Sequence, residues 1–219
     1  MPRHKLSAWS LAASAVLLLT SGAATAERNT PGLFDYYVLV LGWSPTYCII
    51  DGHDRRDKQC KAGHDFVLHG LWPQYDKGWP EDCYAGKRPW IPQEIIDRMR
   101  DIMPSKGLII HEYSTHGTCS GLSPAQYYDA ARALYDRISL PPQFDDPTAP
   151  RRLSPERIES EFLAANDWLR ADMVAVTCRG ANLLDIRVCF GRDLHPRTCG
   201  VNEDQARLCR AGEITVPVP

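Results

Sequence analysis

The heptapeptide HEYSTHG, residues 111–117, carries two histidines and a glutamate beside the first of them. Histidines that share a metal ion on one helix normally stand four residues apart, because that spacing puts both rings on one face. His111 and His116 are five residues apart, about 140° around a helix, so a zinc site is disfavoured. Glu112 and His116 are four apart and share a face. A carboxylate beside an imidazole orients the ring and raises its pKa, which favours acid–base catalysis. The alternative is a solvated helix face without chemistry.

A third histidine ends an apolar segment earlier in the chain. In FVLHGLWPQ, His69 follows three apolar residues and precedes a glycine and Trp72. A histidine that leaves a buried strand beside an aromatic ring is typical of a binding site, although a lone histidine there is more often a packed core residue. Paired with HEYSTHG, it supplies the second imidazole that acid–base catalysis needs.

Together, FVLHGLWPQ and HEYSTHGTC resemble the two signature segments of the ribonuclease T2 family, and LGWSPTYC (residues 41–48) resembles its first-strand segment. The resemblance implies an α+β fold with a central antiparallel sheet flanked by helices. It implies an endoribonuclease that cleaves single-stranded RNA with low base specificity, through 2′,3′-cyclic phosphates to 3′-phosphates. It also implies catalysis without a metal or cofactor. DNA is excluded as a substrate because it lacks the 2′-OH nucleophile.

The resemblance also assigns roles to single residues. His69 matches the family's general acid and His116 its general base. Glu112 matches the glutamate that stabilises the pentacovalent phosphorane or supports the base. His111 matches a phosphate-binding histidine, and Trp72 matches an aromatic residue that holds a base.

One departure from the family pattern concerns the residue before the last histidine. The family usually has lysine there, and this chain has Thr115, which offers only a neutral hydroxyl to the phosphoryl oxygens. A weakly active or inactive homologue that binds RNA or a protein partner is therefore the alternative, unless another cation, such as Lys87 or Arg88, replaces the lysine. Gln74, just after the first motif's proline, is a candidate for the base pocket.

The elements that must position these residues follow from apolar periodicity and turn residues. The sequence predicts strands over residues 34–43, 65–73, 173–178 and 183–190, and helices over residues 91–103, 123–138 and 154–166. Gly70 and Pro73 are expected to break the second strand. Because strands and helices do not alternate regularly, the sequence favours an α+β class. The proline-rich stretch 140–153 is expected to be a surface loop within one domain.

The N-terminus predicts export. Arg3 and Lys5 precede an apolar run over residues 11–19, and Ala24-Thr25-Ala26 is a small-x-small cleavage site. We expect residues 1–26 to be a signal peptide and residues 27–219 a single catalytic domain, periplasmic or extracellular and free of the membrane. An uncleaved membrane anchor is the alternative.

Charge gives little support to tight nucleic-acid binding. The chain has 25 basic and 27 acidic residues, and loss of Arg3 and Lys5 with the signal peptide makes it more acidic. No basic stripe is present, so tight non-specific nucleic-acid binding is not expected. An enzyme that releases its product does not need tight binding. We expect a monomer. His53, His64 and His195 are expected to be surface or packing residues.

All eight cysteines lie after residue 26, and their even number in an exported chain predicts disulfides. They are Cys48, Cys60, Cys83, Cys119, Cys178, Cys189, Cys199 and Cys209. A bridge between Cys178 and Cys189 across a hairpin is one expectation, and the family resemblance implies Cys83–Cys119. No Cys-x-x-Cys pair supports zinc. A disulfide-rich structural or inhibitory protein is a further alternative.

Overall fold

The structure is a computed structural model that describes residues 29–50 and 58–219. The predicted signal peptide and His53 lie outside the described residues. Within them, one six-stranded sheet forms in the order β2-β1-β5-β6-β3, with β4 paired to β5. The strands are β1 (Tyr36–Trp43), β2 (Phe66–Gln74), β3 (Arg151–Leu153), β4 (Val174–Arg179), β5 (Asn182–Gly191) and β6 (Ile214–Val216).

Neighbouring strands run antiparallel, except for a short parallel contact between β5 and β6. Helices flank this sheet, which confirms the predicted α+β class. The helices are α1 (Ser44–Ile50), α2 (Lys58–Lys61), α3 (Gln93–Met99), α4 (Lys106–Thr115), α5 (Pro124–Asp136), α6 (Pro155–Ala165) and α7 (Gln205–Leu208). In the described residues, no helix is long and apolar enough to cross a membrane.

Two helix starts agree with the sequence. The hydroxyl groups of Ser123 and Ser154 accept hydrogen bonds from the backbone N–H three residues on, each followed by proline at the first helical position. The predicted helix over residues 91–103 is shorter than expected, because α3 ends at Met99. Beyond it the chain turns, so that the Ile102 carbonyl accepts the Leu68 N–H of β2 at 2.8 Å.

The prediction that Gly70 and Pro73 break the second strand is wrong. β2 runs through both residues. It lies at the edge of the sheet, where a strand tolerates proline because one side of its ladder has no strand to bond. The backbone groups of Leu71, which have no strand partner at this edge, bond to a side chain instead. The Tyr127 hydroxyl on α5 donates to the Leu71 carbonyl at 2.9 Å and accepts the Leu71 N–H at 3.2 Å.

The sheet has one face in the main core. Alternate residues of β1, such as Leu39 and Leu41, pack there with Val188 of β5 and with Tyr113 of α4. The stretch 140–153 is not only a surface loop as expected, since Phe144 within it is fully buried in this core and its last residues form β3. The opposite face of the sheet carries a smaller apolar group and the polar residues described below.

All eight cysteines form disulfides: Cys48–Cys60, Cys83–Cys119, Cys178–Cys209 and Cys189–Cys199. The Cys83–Cys119 bridge implied by the family resemblance is present. The expected Cys178–Cys189 bridge is wrong, because in the β4–β5 hairpin Cys178 lies opposite Leu183. Cys189 is six residues further along β5, beyond the reach of a disulfide.

Candidate active site

A bulge in β2 directs His69 toward the site. The strand register pairs Leu68 with Leu41 and Gly70 with Val40, which leaves His69 as the extra residue. A bulge lets one residue leave the strict alternation of faces. Leu68 and Leu71 therefore both stay in the core, while His69 and Trp72 lie on the open side, where His69 packs beside Gly42 of β1.

Helix α4 supplies the other two reacting groups. It begins after Ser105, whose hydroxyl accepts the Leu108 N–H at 3.3 Å. Glu112 lies in its last turn, and His116 caps it with backbone φ −108° and ψ −45°, its N–H bonded to the Glu112 carbonyl. The chain then packs back on the helix at Gly117, where a Cβ would lie 2.4 Å from the Tyr113 ring. Glu112 and His116 thus face β2 together.

Trp72 is the common contact of these groups. Its indole Nε1 donates to Glu112 Oε2 at 2.7 Å. Its ring stacks on His116 with centroids 4.9 Å apart, and meets the edge of the His69 ring at 5.2 Å. His69 Nε2 lies 3.4 Å from Glu112 Oε1. Two imidazoles from separate elements therefore flank one tryptophan, with a carboxyl group between them.

Gly70 makes this close arrangement possible. A Cβ on Gly70 would lie 2.0 Å from Glu112 Oε2 and 2.6 Å from Trp72 Nε1, and both are shorter than any real contact. Only glycine leaves room for the hydrogen bond between Glu112 and Trp72 to lie directly over the strand. The glycine between His69 and Leu71 is therefore part of the site.

Burial sets the protonation of the three titratable groups. The Glu112 side chain is 1 % exposed, and burial raises its pKa to about 8 against the opposing hydrogen bond from Trp72. Burial and the nearby His69 and His111 rings lower the pKa of His116 to about 3. No described residue hydrogen-bonds its buried Nδ1, so nothing there supports a second proton on the ring. His116 is a neutral imidazole suited to accept a proton.

His69 is in a more open position, with 40 % of its side chain exposed. Burial of the rest is the main cause that lowers its pKa, and the carboxylate of Asp185 opposes this. His116 is therefore neutral above pH 3, whereas His69 is more exposed and lies beside the Glu112 carboxyl group. The two rings therefore have different surroundings, which shift their pKa values by different causes.

Two cavities open on either side of this centre. The first, which we call the tryptophan cavity, has a volume of 570 Å³ and is lined by aromatic, amide and guanidinium groups that include Trp72, Gln74, Trp79, His116, Arg187, Asn202, Arg207 and Arg210. The second, the histidine cavity, has a volume of 520 Å³ and is lined by residues that include Gly42, Tyr47, His69, Leu108, His111 and Asp185. The reacting groups therefore stand between two concave sites.

The remaining residues predicted from the sequence lie at different distances from this centre. Gln74 is buried, accepts a hydrogen bond from the Asn202 side chain at 3.0 Å and lines the tryptophan cavity. His111 is exposed and lines the histidine cavity beside His69. Thr115 is half-buried and lines neither cavity.

Strand β5 adds residues that the motifs did not indicate. Asp185 and Arg187 project from one face of the strand, and Arg187 Nε lies 3.1 Å from Asp185 Oδ1. The Arg187 guanidinium carbon is 5.2 Å from the Trp72 ring centroid. The sequence LLDIRVCF contains these two charged residues at alternate positions of an apolar strand. That spacing indicates that both side chains lie on the same face.

Among the described residues, no group of three or more His, Cys, Asp or Glu side chains converges on a possible metal position. His69, Glu112 and His116 instead each contact Trp72.

Comparisons with known proteins identify the family of the chain. The profile of the ribonuclease T2 family matches residues 34–199. A ribonuclease of Aeromonas hydrophila is 40% identical over 120 residues, which cover 54% of this chain and 53% of that protein. Ribonuclease I of Escherichia coli (strain K12) is 26% identical over 87% of this chain and 92% of its own. For the first relatives, the aligned part spans about half of their length.

The fold has solved counterparts. A variant of ribonuclease MC1 from bitter gourd seeds, solved in complex with 5′-UMP, superposes with a TM-score of 0.63 and 21% identity, covering 83% of this chain and 97% of that one. At this identity the likeness concerns the fold alone.

Proposed function

Because the chain belongs to the ribonuclease T2 family, whose profile covers residues 34–199, we propose that it is an endoribonuclease that cleaves single-stranded RNA. Two imidazoles from separate elements flank Trp72: His116 is neutral above its pKa of about 3, and His69 lies beside the Glu112 carboxyl group. This single arrangement carries the proposal. In-line displacement at phosphorus puts the attacking and leaving oxygens on opposite sides, so base and acid must approach from different directions.

The proposed reaction begins with transphosphorylation. The 2′-OH gives its proton to His116 while its oxygen bonds to phosphorus, the P–O5′ bond breaks, and His69 protonates the departing O5′. The products are a 2′,3′-cyclic phosphate and a new 5′-OH end. Water then attacks the cyclic phosphate with the two histidines in reversed roles, which leaves a 3′-phosphate. The carboxyl group of Glu112, which is protonated below its pKa of about 8, lies 3.4 Å from His69 Nε2 and is proposed to stabilise the phosphorane.

The two cavities suit the two nucleosides that flank the cleaved bond. In the tryptophan cavity, Trp72 and Trp79 offer stacking surfaces, while the amides of Gln74 and Asn202 offer hydrogen-bonding groups. Because the Gln74 and Asn202 amides already bond each other, we propose weak rather than strict base selection. In the histidine cavity, His111 lies beside His69 and is proposed to hold the phosphate. The ribonuclease MC1 complex with 5′-UMP is a precedent for nucleotide binding on this fold.

The enzyme is proposed to act as an exported monomer. Every group of the proposed site comes from one chain, so no second copy is needed. Four disulfides suit an oxidising compartment, periplasmic or extracellular.

The substrate and the mechanism are tested together with a matched pair of oligonucleotides, one RNA and one DNA, in the presence and absence of a chelator. We expect the RNA to be cut at an unchanged rate with the chelator, and the DNA to stay intact because it has no 2′-OH. Cleavage of both strands, or loss of RNA cleavage with the chelator, would contradict the proposed mechanism. A rate barely above background would favour the binding homologue instead.

The pH dependence follows from the two histidine environments. Activity requires neutral His116, which is present above its pKa of about 3, and protonated His69. The pKa of His69 is lowered from 6.5, so its proton is lost as the pH rises toward neutrality. We expect a bell-shaped profile of kcat/KM with its maximum on the acid side of pH 6.5. An alkaline optimum, measured on a dinucleoside monophosphate between pH 3 and 9, would sink this assignment.

A further inference from the structure

The proposed reaction builds negative charge on the phosphoryl oxygens, and the usual lysine of the family is replaced by Thr115. Lys87 and Arg88, the two cations named above as possible replacements, do not fill this gap. Arg88 Nε donates to Ser114 Oγ at 2.9 Å, and Ser114 lies two residues after Glu112, on nearly the opposite face of α4. Lys87 is exposed and lines neither cavity.

We propose that Arg187 of β5 supplies the cation that stabilises the transition state. It would take the place of the lysine that the family usually has where this chain has Thr115. The inference rests on the proposed function and names a further catalytic residue of that reaction. Arg187 lines the tryptophan cavity together with His116. Its guanidinium carbon is 5.2 Å from the centroid of Trp72, the ring that contacts both His69 and His116.

The surroundings of Arg187 hold its guanidinium in place and leave one edge available. Its Nε lies 3.1 Å from Asp185 Oδ1, and its Nη1 lies 3.8 Å from Glu203 Oε1. Glu203 is itself fixed by a hydrogen bond from the Tyr36 hydroxyl. Within the described part of the chain, Nη2 has no hydrogen-bond or ion-pair partner. A planar guanidinium clamped on one side presents its remaining N–H groups to a phosphate without reorganisation.

Its burial makes this charge effective. The Arg187 side chain is 19 % exposed, so water screens it less than it screens a surface arginine. Arg207 and Arg210 also line the tryptophan cavity, but both are exposed on its outer side. No contact joins either of them to the histidines or to Trp72 among the described residues. Of the three arginines that line the tryptophan cavity, Arg187 is therefore the one that contacts Trp72.

The test is a double-mutant cycle with Arg187→Ala, Thr115→Lys and the combined variant, using kcat on a dinucleoside monophosphate. We expect Arg187→Ala to lower kcat by roughly 10²-fold, as removal of one preorganised donor does. Thr115→Lys should then raise kcat at least tenfold more in the Arg187→Ala background than in the parent, because the new lysine replaces the lost cation. Equal effects of Thr115→Lys in the two backgrounds would overturn the inference.

Three further measurements distinguish a catalytic role of Arg187 from a structural one. Arg192→Ala removes an arginine that stacks on Phe34 instead of Trp72, and its kcat should equal that of the parent. Arg187→Lys keeps a charge on β5 and should retain more kcat than Arg187→Ala at similar thermal stability. A change in KM alone for Arg187→Ala would also overturn the inference. If the parent does not cleave RNA, the proposed function fails; if it does and Arg187→Ala matches it, this inference alone fails.

Discussion

Replacing His116 with alanine is expected to lower kcat for RNA cleavage by roughly 10³-fold, within the range measured for removal of a general base or acid. His116 is neutral because burial lowers its pKa to about 3, so it is ready to accept the 2′-OH proton across the whole working range. Alanine leaves the Trp72 face open and offers no acceptor. Single-turnover cleavage of a dinucleoside monophosphate measures the loss.

His69→Ala should lower kcat by a similar factor, because it removes the proposed general acid and not the base. A change of leaving group distinguishes the two variants. A substrate whose O5′ nucleoside is replaced by p-nitrophenol needs no proton on its leaving oxygen. With this substrate His69→Ala should recover most of its activity, whereas His116→Ala should stay impaired because the 2′-OH still has to lose its proton. Because the two residues act as a unit, the double variant should be little worse than either single one.

His195→Ala is the matched control for this pair. His195 is an exposed histidine beside Asp193, remote from both cavities, so its loss should leave kcat unchanged with either substrate. Retention of activity within tenfold of the parent by His116→Ala, or recovery of both variants by the p-nitrophenyl substrate, would refute the assignment of base and acid.

The structure brings together candidate residues from two local sequence patterns, but the geometry that joins them did not follow from those patterns. His69, Trp72, Glu112 and His116 lie within two short segments, and the i,i+4 spacing of the last two brought them to one face of α4 as expected. The bulge that releases His69 from strict strand alternation could not be read from the sequence. The bulge depends on the register between β2 and β1. Gly70 was therefore interpreted as a strand break, although its role is to leave room for Glu112 and Trp72.

Contacts between distant segments were the least predictable. Arg187 comes to the site because β5 pairs with β1, which in turn pairs with β2. No local pattern specifies that order of strands. The Cys178–Cys189 expectation failed for the same reason. Nearness in the chain suggested a bridge, but the β4–β5 register set Cys178 opposite Leu183 and left Cys189 facing Cys199.

Glu112→Gln is expected to lower kcat by roughly 10²-fold and at the same time to stabilise the folded protein at neutral and alkaline pH. Glutamine keeps an oxygen to accept the Trp72 N–H, so the site geometry persists, but its amide does not replace the carboxyl group beside His69. The stability gain arises because the buried carboxyl group has a pKa of about 8 in the folded state against 4.5 in the reference state. Between these values the unfolded chain ionises Glu112 and the folded chain does not.

The sign of this effect fixes its pH window. A raised folded-state pKa stabilises the fold fully below pH 4.5, and this contribution is lost as the pH rises to 8. The parent should therefore lose stability relative to Glu112→Gln across this interval, on the order of 2–4 kcal/mol at pH 8 and nearly nothing at pH 4. Urea unfolding of both proteins at the two pH values measures the difference.

Glu161→Gln tests whether the effect belongs to the position of Glu112. Glu161 is also buried, but its carboxylate lies 3.0 Å from the guanidinium groups of both Arg151 and Arg157, so neutralising it should destabilise the fold and leave kcat unchanged. At pH 8 we expect Glu112→Gln to raise the free energy of unfolding and Glu161→Gln to lower it. A Glu112→Gln protein that is less stable than its parent at pH 8, or equally changed at both pH values, would mean that Glu112 is ionised in the fold. The carboxylate would then act as the permanent counter-ion of His69, and not as a protonated carboxyl group beside it.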